Sequence, residues 1–145
     1  MNLSVSEIIR ILQNDIQDIG NALIDSEINS FKIDSRTVLD KDVFVAIQGN
    51  NLDGHDFVDN ALENGACLAI TNRSHKNPSV LTVRDSVKSL GLIANYYIKK
   101  LKSKSIGITG TNGKSTVTAM IAKIMQQCLY TCLLYTSPSP RDDEL

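Results

Sequence analysis

The stretch Ile106-Gly-Ile-Thr-Gly-Thr-Asn-Gly-Lys-Ser-Thr116 constrains this chain more than any other. A short apolar run, a glycine-rich step and a Gly-Lys-Ser sequence read in order as a strand, a tight turn and the opening of a helix. The strand is predicted over Ser105–Thr109. The helix is predicted over Lys114–Gln127, burying Val117, Met120, Ile121 and Ile124. A turn through Gly110 and Gly113 leaves backbone N–H groups pointing inward, and the helix start adds its positive end. Such a cradle suits a polyphosphate. Lys114 supplies an ammonium group and Ser115 a hydroxyl that can ligate magnesium. A Cβ at the glycines would block either the phosphates or a left-handed turn. Two familiar spacings are not met: Ile108 stands where the general phosphate loop has its first Gly, and Thr109 stands where the dinucleotide pattern has its second. The bland alternative is a glycine-rich turn that happens to contain a lysine. A Gly-Lys-Ser step at a helix start, behind a buried strand, argues against it.

The rest of the chain alternates strands and helices, the mark of an α/β fold with a largely parallel or mixed sheet. Ser4-Val-Ser-Glu7 forms a capping-box pattern ahead of an amphipathic helix near residues 5–13. Between Ile16 and Ser30 the pattern suggests a turn and a short strand. Strands are predicted at Phe31–Asp34, Val43–Ile47, Cys67–Thr71 and Val80–Val83. A helix beginning near His55 stops at Asn64-Gly65, a left-handed C-cap pattern. Asp85 is placed to cap the longest helix, with Val87, Leu90, Ala94, Tyr97, Ile98 and Leu101 on one face. The lysines at its end suit the helix dipole, and a solvated helix terminus is preferred over a binding patch.

The chain has 145 residues, enough for one domain and the start of a second. Lys and Arg number 15 against 16 Asp and Glu, so broad binding to nucleic acid or a membrane surface has no compositional support. No apolar run is long enough to span a bilayer, and the N-terminus reads as a surface helix rather than a secretory signal. The cytoplasm is therefore expected. Cys67, Cys128 and Cys132 lack metal-ligand spacing with either His, which argues against a zinc site or a disulfide scaffold. The last eighteen residues, Cys128–Leu145, have no period and carry Pro138 and Pro140. LLYTSPSPRD there looks like translated adaptor or vector sequence, and a non-native or disordered tail is expected.

A second cluster, Asp34-Ser-Arg-Thr37 followed by Asp53-Gly-His-Asp-Phe57, is less telling alone. Asp34 and Ser35 can make a turn, Arg36 can pair with Asp40, and His55 can cap a helix. No hydrolytic triad is suggested.

Taken together, IDSRTVLDKDVFVAIQGNNLDGHDFVDNALENGACLAIT and IGITGTNGKSTVTAMIA resemble the Mur ligases of bacterial cell-wall synthesis over about residues 1–127. The resemblance implies a small mixed-sheet N-terminal domain that binds UDP-MurNAc-peptide over residues 1–104. The first strand, phosphate loop and helix of a truncated parallel-sheet ATPase domain would follow over 105–127. It implies ATP and magnesium, with Gly110, Thr111, Asn112, Gly113, Lys114, Ser115 and Thr116 on the nucleotide, Lys114 catalytic and Ser115 on the metal. Ser35, Asn50 and Asn51 fall on the family's uridine-contacting positions. The implied reaction phosphorylates a peptide carboxylate, and an amine then attacks the acyl phosphate. The opening LSVSEIIRIL and the run LGLIANYYIKKLKSKS look most like the ligase that adds D-alanyl-D-alanine to UDP-MurNAc-tripeptide. The dipeptide ligase that adds the third residue is the alternative. A monomer is expected, without ligase activity of its own, because the family's remaining catalytic residues lie beyond this stretch. Two other classes stay open: a uridine-nucleotide binding module without catalysis, and an unrelated ATPase or small-molecule kinase.

Overall fold

The computed structural model describes residues 3–20, 26–50, 52–102 and 104–128. They fall into two units, Met1–Ser103 and Lys104–Leu145, which are taken in turn.

The first unit is built on a five-stranded mixed sheet in the order β2-β7-β6-β5-β4. Its strands are β2 (Ile16–Ile19), β4 (Phe31–Lys32), β5 (Val43–Val45), β6 (Leu68–Thr71) and β7 (Val80–Val83). β4 through β7 run parallel, and β2 closes one edge antiparallel to β7. Every residue of β5, β6 and β7 is buried. Strands covered on both faces need apolar side chains on both, which is why they read as unbroken hydrophobic runs in the sequence. Alternation sorts those side chains. Val43, Val45, Leu68, Ile70, Leu81 and Val83 point to one core, while Phe44, Ala46, Ala69 and Val80 point to the other.

The first core is closed by α1 (Val5–Leu12) and α3 (Ser86–Leu101), through Val5, Ile8, Leu12 and Ile93. The second is closed by α2 (Val58–Glu63), through Val58 and Ala61. Small side chains dominate that face, so a two-turn helix can sit close to the sheet. A short antiparallel pair, β1 (Leu3–Ser4) with β3 (Glu27–Ile28), ties down the N-terminus.

The helix ends follow local chemistry. Ser4 and Glu7 form the capping box, with the Glu7 N–H donating to Ser4 Oγ at 3.3 Å and the Ser4 N–H donating to Glu7 Oε2 at 3.2 Å. Glu7 also accepts from Lys100 Nζ at 2.8 Å, and this ion pair holds its carboxyl below the usual range. Asp85 caps α3 by accepting from the Lys88 N–H at 3.0 Å, and Lys102 ends it in the left-handed conformation. Gly65, at φ +110°, follows α2 as the C-cap pattern predicts.

Four expectations are corrected. The buried face of α3 is Ser86, Ser89 and Ile93, with Leu90, Tyr96 and Tyr97 half-buried; Val87 is 59% exposed and Ile98 and Leu101 are exposed. Polar contacts turn the helix: Ser89 Oγ donates to the buried Asp15 Oδ2 at 2.6 Å, and Tyr96 OH donates to Glu7 Oε1 at 3.3 Å. Arg36 pairs with Asp34, not Asp40. In the second unit, α4 (Lys114–Gln127) forms as predicted, but residues 105–109 are not a strand. A strand exists only through a partner's hydrogen bonds, and no described segment of that unit supplies them. For the same reason Val117, Met120 (61% exposed) and Ile124 are uncovered, Ile121 is half-buried, and Ala122 alone is buried among the described residues of α4. The predicted tail, including Cys132, Pro138 and Pro140, lies outside the described residues apart from Cys128.

Candidate functional site

Parallel strands deliver their loops to one edge, and in open α/β sheets that carboxyl edge is where ligands bind. Here the segments following β5 and β6 are joined by the Asp53–Arg73 pair, while the segment following β4 packs against α2. Immediately after β4, Asp34 caps a single 3₁₀ turn, Ser35–Thr37. Its Oδ1 accepts from the Arg36 backbone N–H at 3.0 Å and from Nε at 2.9 Å, and Oδ2 accepts from Nη2 at 2.7 Å. The guanidinium lowers the Asp34 carboxyl to about 2. Ser35 is buried under this turn, and its carbonyl accepts from Asn64 Nδ2 at 3.0 Å, just past α2.

The loop after β5 closes on itself. Gln48 and Asp53 form an antiparallel bridge, the Gly49 N–H donates to Leu52 O at 2.9 Å, and the Gly54 N–H donates to Ile47 O at 2.9 Å. Asn50 stands exposed at the tip. Asn51 lies outside the described residues. Gly54 sits so close to the strand that a Cβ would come within 2.7 Å of Ile47 O. Asp53 then caps a second 3₁₀ turn, Gly54–Phe57. Its Oδ1 accepts from the His55 backbone N–H at 3.1 Å and lies 2.5 Å from His55 Nδ1. Its Oδ2 accepts from Arg73 Nη2 at 2.5 Å, across from the segment after β6. These bonds, those from His55 foremost, bring the Asp53 carboxyl down to about 2. The cap is Asp53; His55 contributes its ring to that cap rather than serving as one.

Sequence reasoning singled out Asp53 and His55 but not Arg73. Arg73 sits in a polar loop, 20 residues from Asp53, and nothing in its local pattern marks it. A groove of about 170 Å³ elsewhere on this unit, between Phe31 and the Leu90–Ile98 side of α3, is apolar and has no charge to offer a nucleotide.

In the second unit the glycine turn takes the bent form expected of it. Gly113, at φ +76°, is the N-cap of α4, a conformation that favours glycine. Lys114 folds back so that Nζ donates to Gly110 O at 2.8 Å, and the helix ladder begins with Val117 N–H to Gly113 O at 3.0 Å. Thr111, Asn112, Ser115 and Thr116 are exposed around it. An ammonium group, a helix start and exposed hydroxyls thus lie together, and the space beside Gly113 is open, with nothing within 4 Å of where a Cβ would stand. That set fits the phosphates of a nucleotide and one magnesium ligand. Among the described residues, no group of three His, Cys, Asp or Glu side chains is placed to hold a metal by itself.

A family model described as "Mur ligase family, catalytic domain" matches residues 27–111, more than half of the chain. The chain belongs to the Mur ligase family. A UDP-N-acetylmuramoyl-L-alanyl-D-glutamate–2,6-diaminopimelate ligase of Clostridium tetani is 38% identical over 86% of this chain and 27% of its own length. Among solved structures, MurF from Acinetobacter baumannii superposes with a TM-score of 0.74 at 26% identity, over 88% of this chain and 28% of that one. MurF ligase from Thermotoga maritima in complex with ADP reaches a TM-score of 0.65 at 34% identity, over 68% of this chain and 23% of that one. This Mur ligase chain therefore spans about a quarter of the length of the relatives it matches.

Proposed function

We propose that this chain is the nucleotide-binding end of an ATP-dependent amide ligase of peptidoglycan precursor synthesis, of the kind that adds a third residue such as 2,6-diaminopimelate to UDP-MurNAc-dipeptide. One observation carries the reading. A sheet edge with a buried Ser35 turn and a closed Asn50 loop occurs in the same chain as Lys114 folded over a glycine turn at a helix start. The sequence relatives, which are UDP-N-acetylmuramoyl-L-alanyl-D-glutamate–2,6-diaminopimelate ligases, favour the third-residue reaction over the addition of D-alanyl-D-alanine.

The residues divide the work by chemistry. Ser35, Asn50 and Asn51 hold the uridine part of the substrate. Gly110, Thr111, Asn112, Gly113 and Thr116 wrap the phosphates of ATP, Lys114 balances β- and γ-phosphate charge, and Ser115 ligates magnesium. When bound, Mg-ATP supplies the phosphoryl group that converts the peptide carboxylate into an acyl phosphate, the species an incoming amine attacks. Positioning and charge neutralisation are what the loop contributes to such a reaction. Its substrates are soluble cytoplasmic nucleotides, so the cytoplasm is taken as the place of action; among the described residues no helix is long and apolar enough to cross a membrane.

A second reading, addition of D-alanyl-D-alanine to UDP-MurNAc-tripeptide, draws support from the MurF structures. Thermal melting of the chain separates the possibilities, because a ligand bound only by the folded state raises its melting temperature. UDP-MurNAc-dipeptide and Mg-ATP are each expected to raise it, and Lys114→Ala is expected to abolish the ATP shift while leaving the uridine-nucleotide shift. A larger shift with the tripeptide than with the dipeptide supports the second reading. A uridine-nucleotide shift with no ATP shift in the unsubstituted chain reduces the protein to a non-catalytic binding module.

A further inference from the structure

The loop that carries Asn50 is closed at its base, so its tip goes where Asp53 goes. The Gln48–Asp53 bridge and the Gly54 N–H bond to Ile47 O leave the base little freedom. What orients Asp53 comes from two directions. On one side stands His55, whose side chain is only 6% exposed. A carboxylate accepts only, so the proton between them sits on Nδ1 and the ring donates. His55 Nε2 is then left buried without a partner among the described residues, a cost tolerated for the sake of the Nδ1 contact. On the other side stands Arg73, from the chain leaving β6. Its backbone N–H is anchored on the buried Thr71 Oγ1 at 3.1 Å, and its Nη2 takes the remaining Asp53 oxygen at 2.5 Å. Nearby, His75 Nε2 lies 3.4 Å from Asp59 of α2, a second tie on the same segment. Both carboxylate oxygens are thereby spoken for, and Asp53 is left one orientation.

We propose that Arg73 is a positioning residue for uridine-nucleotide recognition: by holding Asp53 from the segment after β6, it fixes the loop that presents Asn50. This rests on the nucleotide reading of the sheet edge given above. An ion pair whose guanidinium is 53% exposed adds little to folding stability, so its effect belongs in binding rather than in melting.

Isothermal titration of UDP into the 145-residue chain, beside its melting temperature, tests this. Arg73→Ala is expected to weaken UDP binding about tenfold, the scale of one coupled polar contact, with the melting temperature nearly unchanged. Arg73→Lys keeps the charge but not the fork geometry, and is expected to recover part of the loss. Asn50→Ala added to Arg73→Ala should weaken binding by less than the two single effects combined, because the loop is already misplaced. UDP binding at the parent level in Arg73→Ala overturns the proposal and leaves the nucleotide reading standing, and so does a loss in melting temperature without a loss in affinity. Failure of the unsubstituted chain to bind UDP overturns both.

Discussion

Two carboxylates on the sheet edge, Asp34 and Asp53, are held to about 2 by hydrogen bonds that only their charged forms accept fully. A folded-state value below the ordinary one near 3.8 means stability that is present above about pH 4 and lost as the pH falls toward 2. Asp34 serves a turn within its own strand connection, whereas Asp53 links two connections. Asp53→Asn is therefore expected to give a shallower decline of the melting temperature between pH 4 and pH 2 than the parent shows, measured by circular dichroism. Glycine positions divide in the same way between local and distant causes. At Gly113 only the left-handed backbone resists a side chain, so Gly113→Ala is expected to strain the turn by about 1–2 kcal/mol without a clash and, on the proposed nucleotide reading, to weaken Mg-ATP binding in a titration. At Gly54 a methyl group would meet the Ile47 backbone, which cannot yield as a flexible side chain does. Gly54→Ala is expected to destabilise the first unit by about 1–3 kcal/mol in urea denaturation and to weaken UDP binding.

Among the elements, α3 is the instructive one. Its apolar residues recur on a face that includes Val87, Ile98 and Leu101, yet the structure buries the neighbouring stripe. Hydrogen bonds from Ser89 to Asp15 and from Tyr96 to Glu7 set that rotation. Asp15 is itself buried, and a buried carboxylate left without a donor costs more than a few exposed methyl groups. Ile93→Ala should therefore lower the stability of the first unit by about 2–4 kcal/mol, while Val87→Ala stays within about 0.5 kcal/mol, both read from urea denaturation midpoints. Equal effects would mean that the helix sits on the face its periodicity suggests. Strand β2 was harder to anticipate than β5, β6 or β7 because most of its residues are exposed, so no hydrophobic run marks it. Its place comes from pairing with Val83, Thr82 and Leu81.

At the scale of the whole molecule, the chain divides where its chemistry divides, with a doubly covered sheet in one unit and a glycine turn on a helix in the other. Whatever is settled within a few residues was legible in the amino-acid order: the Ser4–Glu7 capping box, the Asp85 cap, the buried strands Val43–Val45, Leu68–Thr71 and Val80–Val83, and the bent, lysine-bearing turn at Gly113. Each of these answers to side-chain periodicity or to a cap's reach, and both are local. Tertiary structure decided the rest. It set which stripe of α3 is buried, withheld a strand from residues 105–109 for want of a partner, and brought Arg73 onto Asp53 across 20 residues of chain. Those outcomes depend on groups delivered from elsewhere by the sheet, since a hydrogen bond or an ion pair exists only where both of its ends arrive.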